Sequence, residues 1–433
     1  MHRLSRWIAP FAGLVLASCS ASAPPTPSAQ DLPVSPTATG ASPSGGLDSA
    51  AADLALLLDR LETIHPEPFH GIPRDDFVSA LEAHAAAMPR MTPEESVVGL
   101  MRVVALLSRE GRDGHQFALP AVGHEGPVLP LRIYEFTEGV FVTAAPDEHA
   151  ALVGTRITAI GDTPIDEVLA TVEPLVPRDG PATVPAFRPV LMLRTEVLIG
   201  LGIIGPGPVA LAYEGPDGVG TATLEPMPFD EYVAWAGGFG MLQLPADDEV
   251  RYLADPSPFI FDRIEGGATL YVRFRSVVPA DVSAARAELA AGGVERLVLD
   301  LRQNPGGDNT TYPPLLSFVR EFAQDHPGST YVLTDRVTFS AAANLATEIE
   351  GRTDATFVGE PMGGGLNFWN DVRFVQLEAL PVPMQVGVST RYWQKAEPGE
   401  ERLTIQPDID VPVTAADYFA HRDPALEAAV NAP

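Results

Sequence analysis

The chain has 433 residues, a formal charge of −29 at pH 7 and a hydrophobic content of 45%. So large a negative charge excludes general affinity for nucleic acid, because phosphate binding requires clustered Lys and Arg side chains. A single cysteine excludes an intrachain disulfide. Length and composition therefore favour an acidic globular protein with two or three modules.

The first 19 residues have the pattern of an export signal. A basic start precedes an apolar run at residues 7–17, and the sequence Leu16-Ala17-Ser18-Cys19 resembles a bacterial lipobox. The run is too short to be a retained membrane-spanning helix. We expect residues 1–19 to be a lipoprotein signal peptide and Cys19 to be lipidated, which would hold the protein on the extracytoplasmic side of a bacterial membrane. The alternative is an ordinary cleaved signal peptide that happens to contain Cys19.

Four further segments follow the signal. Residues 20–48 are rich in Ser, Pro, Ala, Thr and Gly, cannot form a core, and are predicted to be a disordered tether. Residues 49–118 have apolar side chains at helical spacing and predict a helical module, with Thr92 capping a helix at residues 93–107. Residues 119–235 have short strand-like runs between turns.

The β-rich module at residues 119–235 contains a segment, residues 154–169, that resembles the strand-turn-helix of a PDZ-like module. The usual carboxylate-binding glycine loop is not evident there, so a degenerate PDZ with a structural role and one that binds chain termini both stay open. Strand and helix patterns then alternate from residue 236 to 433, which predicts an α/β core.

The most informative segment follows a predicted buried strand at residues 296–300. It reads Asp300-Leu301-Arg302-Gln303-Asn304-Pro305-Gly306-Gly307. Adjacent glycines let backbone N–H groups face a cleft without obstruction, as an oxyanion site requires. We expect the polar side chains at 300, 302 and 304 to brace this turn.

A serine stands at the start of a predicted helix. Ser340 follows a second strand-like run at residues 330–334 and precedes a helical stretch that extends to Glu350. Its hydroxyl could cap the helix or act as a nucleophile, and the local sequence alone allows both.

Taken in order, these segments resemble the S41 family of serine peptidases, which includes the C-terminal processing peptidases and the tricorn core. Three further segments carry the resemblance: the Val358-Gly359-Glu360 turn with the glycines after it, Pro407-Asp408-Ile409, and the helical sequence at residues 422–429. The resemblance covers roughly residues 50–430. It implies an α/β, multi-domain fold whose catalytic core, residues 236–433, is of the ClpP/crotonase-like type.

The same resemblance implies roles for individual residues. Ser340 would be the nucleophile, and the oxyanion would be stabilised by the Ala341 N–H together with that of Gly306 or Gly307. Processing peptidases place a lysine base after the V-G-E turn, but Gly364 stands there and Lys395, the single lysine, lies elsewhere.

A histidine is the other possible base. Arg112-Asp113-Gly114-His115-Gln116 resembles the G-D-G-H-T signature of tricorn-like members. We expect His115 to accept the proton of Ser340, with an unperturbed pKa near neutrality that suits this step at about pH 7. Asp113 could orient His115 or brace its loop. Glu401 is the candidate for the family's late glutamate, with Glu400 as the alternative.

The sequence therefore predicts a membrane-tethered serine peptidase that acts on peptides or proteins without a cofactor or metal. His65 and His70 flank prolines between two helices, and no spacing there indicates metal ligation. A nucleophile elbow, a zinc-protease helix and a phosphate loop are all absent from the sequence. The alternative is a non-catalytic S41-like protein that binds a peptide or an apolar ligand.

Overall fold

The computed structural model describes residues 44–238 and 244–432. The predicted signal peptide, Cys19 and most of the predicted tether lie outside these residues. The first helix starts at Ser44, so the last residues assigned to the tether are helical. Among the described helices, none combines the length and the apolar character needed to cross a bilayer.

The helices and strands are numbered here in chain order. The helices are α1 Ser44–Ile64, α2 Arg74–Ala87, α3 Pro93–Ala105, α4 Ile165–Val172, α5 Thr183–Met192, α6 Thr195–Gly200, α7 Phe229–Ala236, α8 Arg251–Ala254, α9 Ser283–Ala290, α10 Pro313–Asp325, α11 Ala341–Glu350, α12 Ala415–Phe419 and α13 Pro424–Asn431. The strands are β1 Ala118–Pro120, β2 Arg132–Phe136, β3 Gly139–Ala144, β4 Arg156–Ile160, β5 Thr163–Pro164, β6 Val209–Gly215, β7 Gly218–Leu224, β8 Phe259–Ile264, β9 Thr269–Phe274, β10 Arg296–Asp300, β11 Thr330–Thr334, β12 Thr356–Gly359, β13 Asn367–Asn370, β14 Arg373–Leu377, β15 Met384–Val388, β16 Arg391–Gln394 and β17 Ile409–Asp410.

Helices α1 to α3 form the predicted helical region. The α3 helix starts as the sequence predicts, because the Thr92 side chain accepts from Glu95 N–H and the Glu95 carboxylate accepts from Thr92 N–H, a complete capping box. The helices share a core with a small antiparallel sheet ordered β1-β15-β14. Because β14 and β15 come from the C-terminal half of the chain, helices α1 to α3 pack directly against that half.

The middle of the chain forms a second antiparallel sheet, ordered β2-β3-β4-β6-β7 with β5 paired to β4. Its apolar side chains belong to the same core cluster as helices α1 to α3, so these two parts are joined by packing. The predicted strand-turn-helix at residues 154–169 is present as β4, β5 and α4.

The last part of the chain contains a six-stranded sheet ordered β17-β12-β11-β10-β9-β8. Its pairs are parallel except for β8, which runs antiparallel to β9. Side chains on one face of β9 to β11 pack with α9, α10 and α11, whereas those on the other face pack with α13. Burial on both faces explains why β10 and β11 are continuous apolar runs. Both strands have the bounds that the sequence predicts.

The parallel strands bring three loops to one edge of this sheet. The glycine turn follows β10, the loop with Ser340 follows β11, and the glycine segment 363–365 follows β12. Carboxyl ends of neighbouring parallel strands share an edge, which is where α/β sheets form their binding crevices. The two-stranded sheet of β13 and β16 starts just after the third loop.

Candidate active site

Ser340 has a strained backbone at the start of α11. Its φ of 54° and ψ of −126° are rare for a residue with a side chain, and its own helix receives no side-chain cap hydrogen bond from it. Ser340 therefore occupies the N-cap position without capping the helix through its hydroxyl. The side chain is 2% exposed, and its Oγ atom accepts a hydrogen bond from Asn370 Nδ2 at 3.0 Å.

Gly306 lies directly against Ser340. Its φ is 109°, and its backbone N–H donates to Asn304 Oδ1 at 2.9 Å. Asn304 also donates to Phe274 O, so it braces the turn as the sequence predicts. Because its N–H already has an acceptor, Gly306 contributes to the site by close approach, and the predicted use of its N–H as an oxyanion donor does not fit the structure.

Gly307 has a different environment. Val277 N donates to Gly306 O and Asp308 N donates to Val277 O, which makes a parallel bridge between Val277 and Gly307. In a parallel bridge the central residue directs its own N–H away from its partner. Within residues 44–238 and 244–432, neither the Gly307 N–H nor the Ala341 N–H has an acceptor. These two donors are thus available for a ligand oxygen.

His115 is packed between two aromatic rings. Its imidazole stacks on Phe339, the neighbour of Ser340, with ring centroids 4.5 Å apart, and on Phe368 at 5.6 Å. The residue is 9% exposed, and its Nδ1 atom is buried with no hydrogen-bond partner among residues 44–238 and 244–432. Burial lowers the pKa of His115 to about 4, against a smaller opposing effect of Asp113. The expected unperturbed pKa is therefore wrong, and the ring is neutral at pH 7.

His115 and Ser340 have neighbouring residues in common. Phe339 precedes the serine, and β13 supplies both Phe368 and Asn370. In the described part of the chain, no hydrogen bond joins the imidazole to the serine. Catalytic hydrogen bonds in free enzymes are often long and shorten only when substrate binds.

Asp113 braces the histidine loop. Its buried carboxylate accepts from Ser389 Oγ at 2.7 Å and contacts Nε2 of His65 at 3.1 Å and of His70 at 3.5 Å. It makes no hydrogen bond to His115. Of the two roles that the sequence left open for Asp113, the geometry favours bracing, and hydrogen bonds to these groups hold the pKa of Asp113 below its usual value despite burial.

The cluster of His65, His70 and Asp113 has ligand atoms within 4.8 Å of one another, close enough for a metal ion. The hydrogen bonds of His65 are not compatible with metal binding at this cluster. Its Nδ1 accepts from Glu67 N–H at 3.0 Å, so the ring proton lies on Nε2, the atom that faces Asp113. A metal on Nε2 would force a proton onto Nδ1, opposite another donor.

Asp179 is a site residue that the sequence analysis missed. Its fully buried carboxylate accepts from Gly114 N–H at 2.6 Å and from Gly365 N–H at 3.2 Å. It therefore ties the His115 loop to the glycine segment behind Ser340. Burial raises the pKa of Asp179 to about 7.

Lys395, Gly364 and the two candidates for the late glutamate lie as follows. Lys395 forms an ion pair with Glu348 of α11 and its ammonium lies 5.5 Å from the ring centroid of Tyr312. A Cβ at Gly364 would approach Ala343 Cβ to 2.5 Å, so no lysine fits at that position. Glu401 is exposed, while the Glu400 carbonyl accepts from Arg112 of the histidine loop at 2.7 Å.

Comparison with known proteins bears on this site. Residues 268–411 match the family model of Peptidase family S41. The structure titled mature CPAF complexed with lactacystin is similar, with a TM-score of 0.58 and 15% identity over 87% of this chain and 96% of that one. A CPAF mutant gives a TM-score of 0.60 and 14% identity over 89% and 98%. The photosystem II D1 C-terminal processing protease gives 0.40 and 16% over 85% and 93%. No curated protein matches the chain in sequence.

At these identities the similarity to CPAF concerns the fold, a mixed α/β arrangement of several domains. The matched region runs from the residue before β9 to the residue after β17 and includes Ser340 and both glycines. The resemblance to S41 peptidases that was inferred from the motifs is confirmed by the match of residues 268–411 to the model of Peptidase family S41.

Proposed function

We propose that the protein is a serine peptidase in which Ser340 is the nucleophile and His115 is the general base. The observation that carries this proposal is the position of Ser340. Its strained backbone keeps the hydroxyl from capping the helix, at an edge of the sheet where the N–H groups of Gly307 and Ala341 have no acceptor in the described part of the chain.

The chemistry follows from these positions. Ser340 Oγ attacks the carbonyl carbon of a peptide bond while its hydrogen passes to His115. The carbonyl oxygen becomes negative and accepts from Gly307 N–H and Ala341 N–H. The protonated His115 then gives its proton to the leaving amine. Water next attacks the acyl group, with His115 taking a proton from the water and returning it to Ser340 Oγ as the acid product leaves.

The environment of His115 keeps its ring neutral. Because burial lowers its pKa to about 4, the imidazole is unprotonated at neutral pH and free to accept the serine proton, although it is a weaker base than an exposed imidazole. The packing of the ring between Phe339 and Phe368 limits its rotation, which partly replaces the hydrogen-bonded partner that Nδ1 lacks. Glu401 stays a candidate for a role that requires the loop around residue 401 to move.

Further parts of the proposal concern substrate and location. Peptides or proteins are the substrates expected of an S41 peptidase, with no cofactor. Lipidation of Cys19 would hold the enzyme on an extracytoplasmic membrane surface, and the β-rich module would be a PDZ-like unit with a structural or peptide-binding role.

The second candidate is a non-catalytic binding protein. Its support is that His115 and Ser340 are not hydrogen-bonded to each other among the described residues. A fluorophosphonate probe discriminates the two, because it reacts only with an activated serine. We expect the wild type to be labelled at Ser340 and Ser340→Ala to remain unlabelled. A folded wild type that resists the probe and cleaves no peptide would favour the binding protein.

A further inference from the structure

Asn370 makes the hydrogen bond that the sequence analysis did not anticipate. Its side chain is 1% exposed at the end of β13, and its Nδ2 atom lies 3.0 Å from Ser340 Oγ. The orientation of the amide is fixed, because Oδ1 accepts from the backbone N–H of Asp371 at 2.7 Å. The group that faces the serine is therefore the NH₂, which can only donate.

The hydrogen bond from Asn370 limits where the hydroxyl hydrogen of Ser340 can point. Ser340 Oγ accepts from Asn370, so its own hydrogen points elsewhere, and no acceptor holds it within the part of the chain that the structure describes. A donor at Oγ also stabilises negative charge as that hydrogen leaves. Asn370 thus favours the one arrangement in which a base can remove the proton.

We propose that Asn370 is a further catalytic residue, which donates to Ser340 Oγ, leaves the hydroxyl hydrogen for His115 and stabilises the charge that develops on Oγ. The proposal rests on the proposed function. During attack the bond between Oγ and the carbonyl carbon forms, the π pair moves to the carbonyl oxygen, and the Oγ hydrogen passes to His115. Asn370 keeps its protons throughout.

The β13 strand carries Asn370 on the same face as a residue that contacts the proposed base. Phe368 and Asn370 are two residues apart, so they lie on the same face of the strand, and Phe368 stacks on His115. Trp369 lies on the other face, where its ring centroid is 4.5 Å from that of His65. One short strand therefore contacts both members of the proposed catalytic pair.

A matched control exists on the same strand. Asn367 is also buried, and its Oδ1 accepts from the backbone N–H groups of Lys395 and Ala396 at the other end of β13. Asn367→Ala should loosen the strand without removing a donor from Ser340. Asn370→Ala removes the donor itself.

The first experiment measures the rate of fluorophosphonate labelling of the full-length protein at pH 7.5. A donor to a charged group contributes enough for a loss of about 10- to 100-fold in Asn370→Ala. Asn367→Ala should lose less than about threefold at matched unfolding midpoints. A wild-type rate in Asn370→Ala, or an equal loss in Asn367→Ala, would overturn the role of Asn370 and leave that of Ser340 intact.

The second experiment uses Asn370→Asp, which preserves shape and keeps the proposal testable if the alanine variant does not fold. An ionised Asp cannot donate and repels charge on Oγ, whereas a protonated Asp restores a donor, and burial raises the pKa of such a carboxyl. The ratio of its labelling rate to that of the wild type should rise at least fivefold from pH 8 to pH 5. A constant ratio would contradict the proposal, and an unlabelled wild type would overturn it together with the proposed function.

Discussion

Gly306 and Ser340 are in direct contact across the site. A Cβ atom built on Gly306 would lie 2.6 Å from Ser340 Cβ and 3.0 Å from Ala341 N. The first of these distances is shorter than real Cβ contacts, so any side chain at this glycine must displace Ser340 or the backbone that presents the Ala341 N–H.

The substitution Gly306→Ala should therefore lower turnover by about a hundredfold or more, the cost of disturbing one oxyanion donor. It should also lower the free energy of unfolding by about 1–3 kcal/mol, because φ is 109° at this residue. Gly207→Ala is the matched control, since its φ is 101° and nothing lies within 4 Å of a new Cβ. Turnover should be unchanged in the control. Full turnover in Gly306→Ala would contradict this placement of the serine.

The identity of the base can be tested with a ring that cannot accept a proton. His115→Phe keeps the stacking against Phe339 and Phe368, which an alanine would lose. We expect a loss of about 10²- to 10⁴-fold in kcat/KM with an unfolding midpoint near that of the wild type. Lys395→Met should keep most activity while it loses the ion pair with Glu348. An active His115→Phe with an inactive Lys395→Met would reverse the assignment.

The acid limb of the activity profile should lie lower than the sequence suggests. The pKa of His115 is lowered to about 4 by burial, so the base stays neutral until the pH falls to that value. We expect kcat/KM, which reports groups of the free enzyme, to be level from pH 8 to about 5 and half-lost near pH 4 when it is measured in Asp179→Asn, where the carboxyl that titrates near pH 7 is absent. A midpoint at pH 6 to 7 in initial-rate measurements would show that His115 titrates as an exposed imidazole.

The elements around the site were predictable because their signals are local. The β10 and β11 strands are apolar runs that end at polar or glycine residues, and the cap of α3 depends on Thr92 and Glu95 alone. The order of the S41-like motifs then indicated which strand ends are candidates for the active site. Ser340 could be named from sequence for this reason.

Asn370 and Asp179 could not be found in the same way. Asn370 lies 30 residues after Ser340, and Asp179 lies 65 residues from Gly114 and 186 from Gly365, within a loop of the middle module. Only tertiary packing joins them to the site. The lowered pKa of His115 could not be predicted from local sequence patterns either, because the burial of its ring involves Phe368, a residue of a distant strand.

Asp179 should make stability depend on pH in a defined direction. Its pKa rises from 3.8 to about 7 in the folded state, so between these values the folded protein holds a proton that the unfolded chain has lost. The free energy of unfolding should therefore decrease as the pH rises from about 4 to about 7 and become level above it. His115 acts in the opposite sense, since its lowered pKa reduces stability as the pH falls from 6.5 to about 4.

The variant Asp179→Asn isolates the first effect. Urea unfolding from pH 4 to 8 should show that the difference in unfolding free energy between wild type and variant changes across this range and stops changing above about pH 7. The variant should also have lower activity, because an amide cannot accept from both Gly114 N–H and Gly365 N–H through its two polar atoms. Parallel stability curves for the two proteins would contradict the burial of an ionisable Asp179.

Cys19 provides a test that is independent of catalysis. If the lipobox-like sequence is processed, the mature wild-type protein begins at a lipid-modified Cys19 and partitions with membranes, because acyl chains at one residue supply most of its membrane affinity. Cys19→Ala should move the protein to the soluble fraction while Ser340 remains reactive toward a fluorophosphonate. Ser20→Ala, which changes the next residue and leaves the thiol, should stay with the membranes. Mass spectrometry of the mature wild-type N-terminus should find the modified cysteine, and an unmodified N-terminus at another residue would show that the leader is an ordinary cleaved signal peptide.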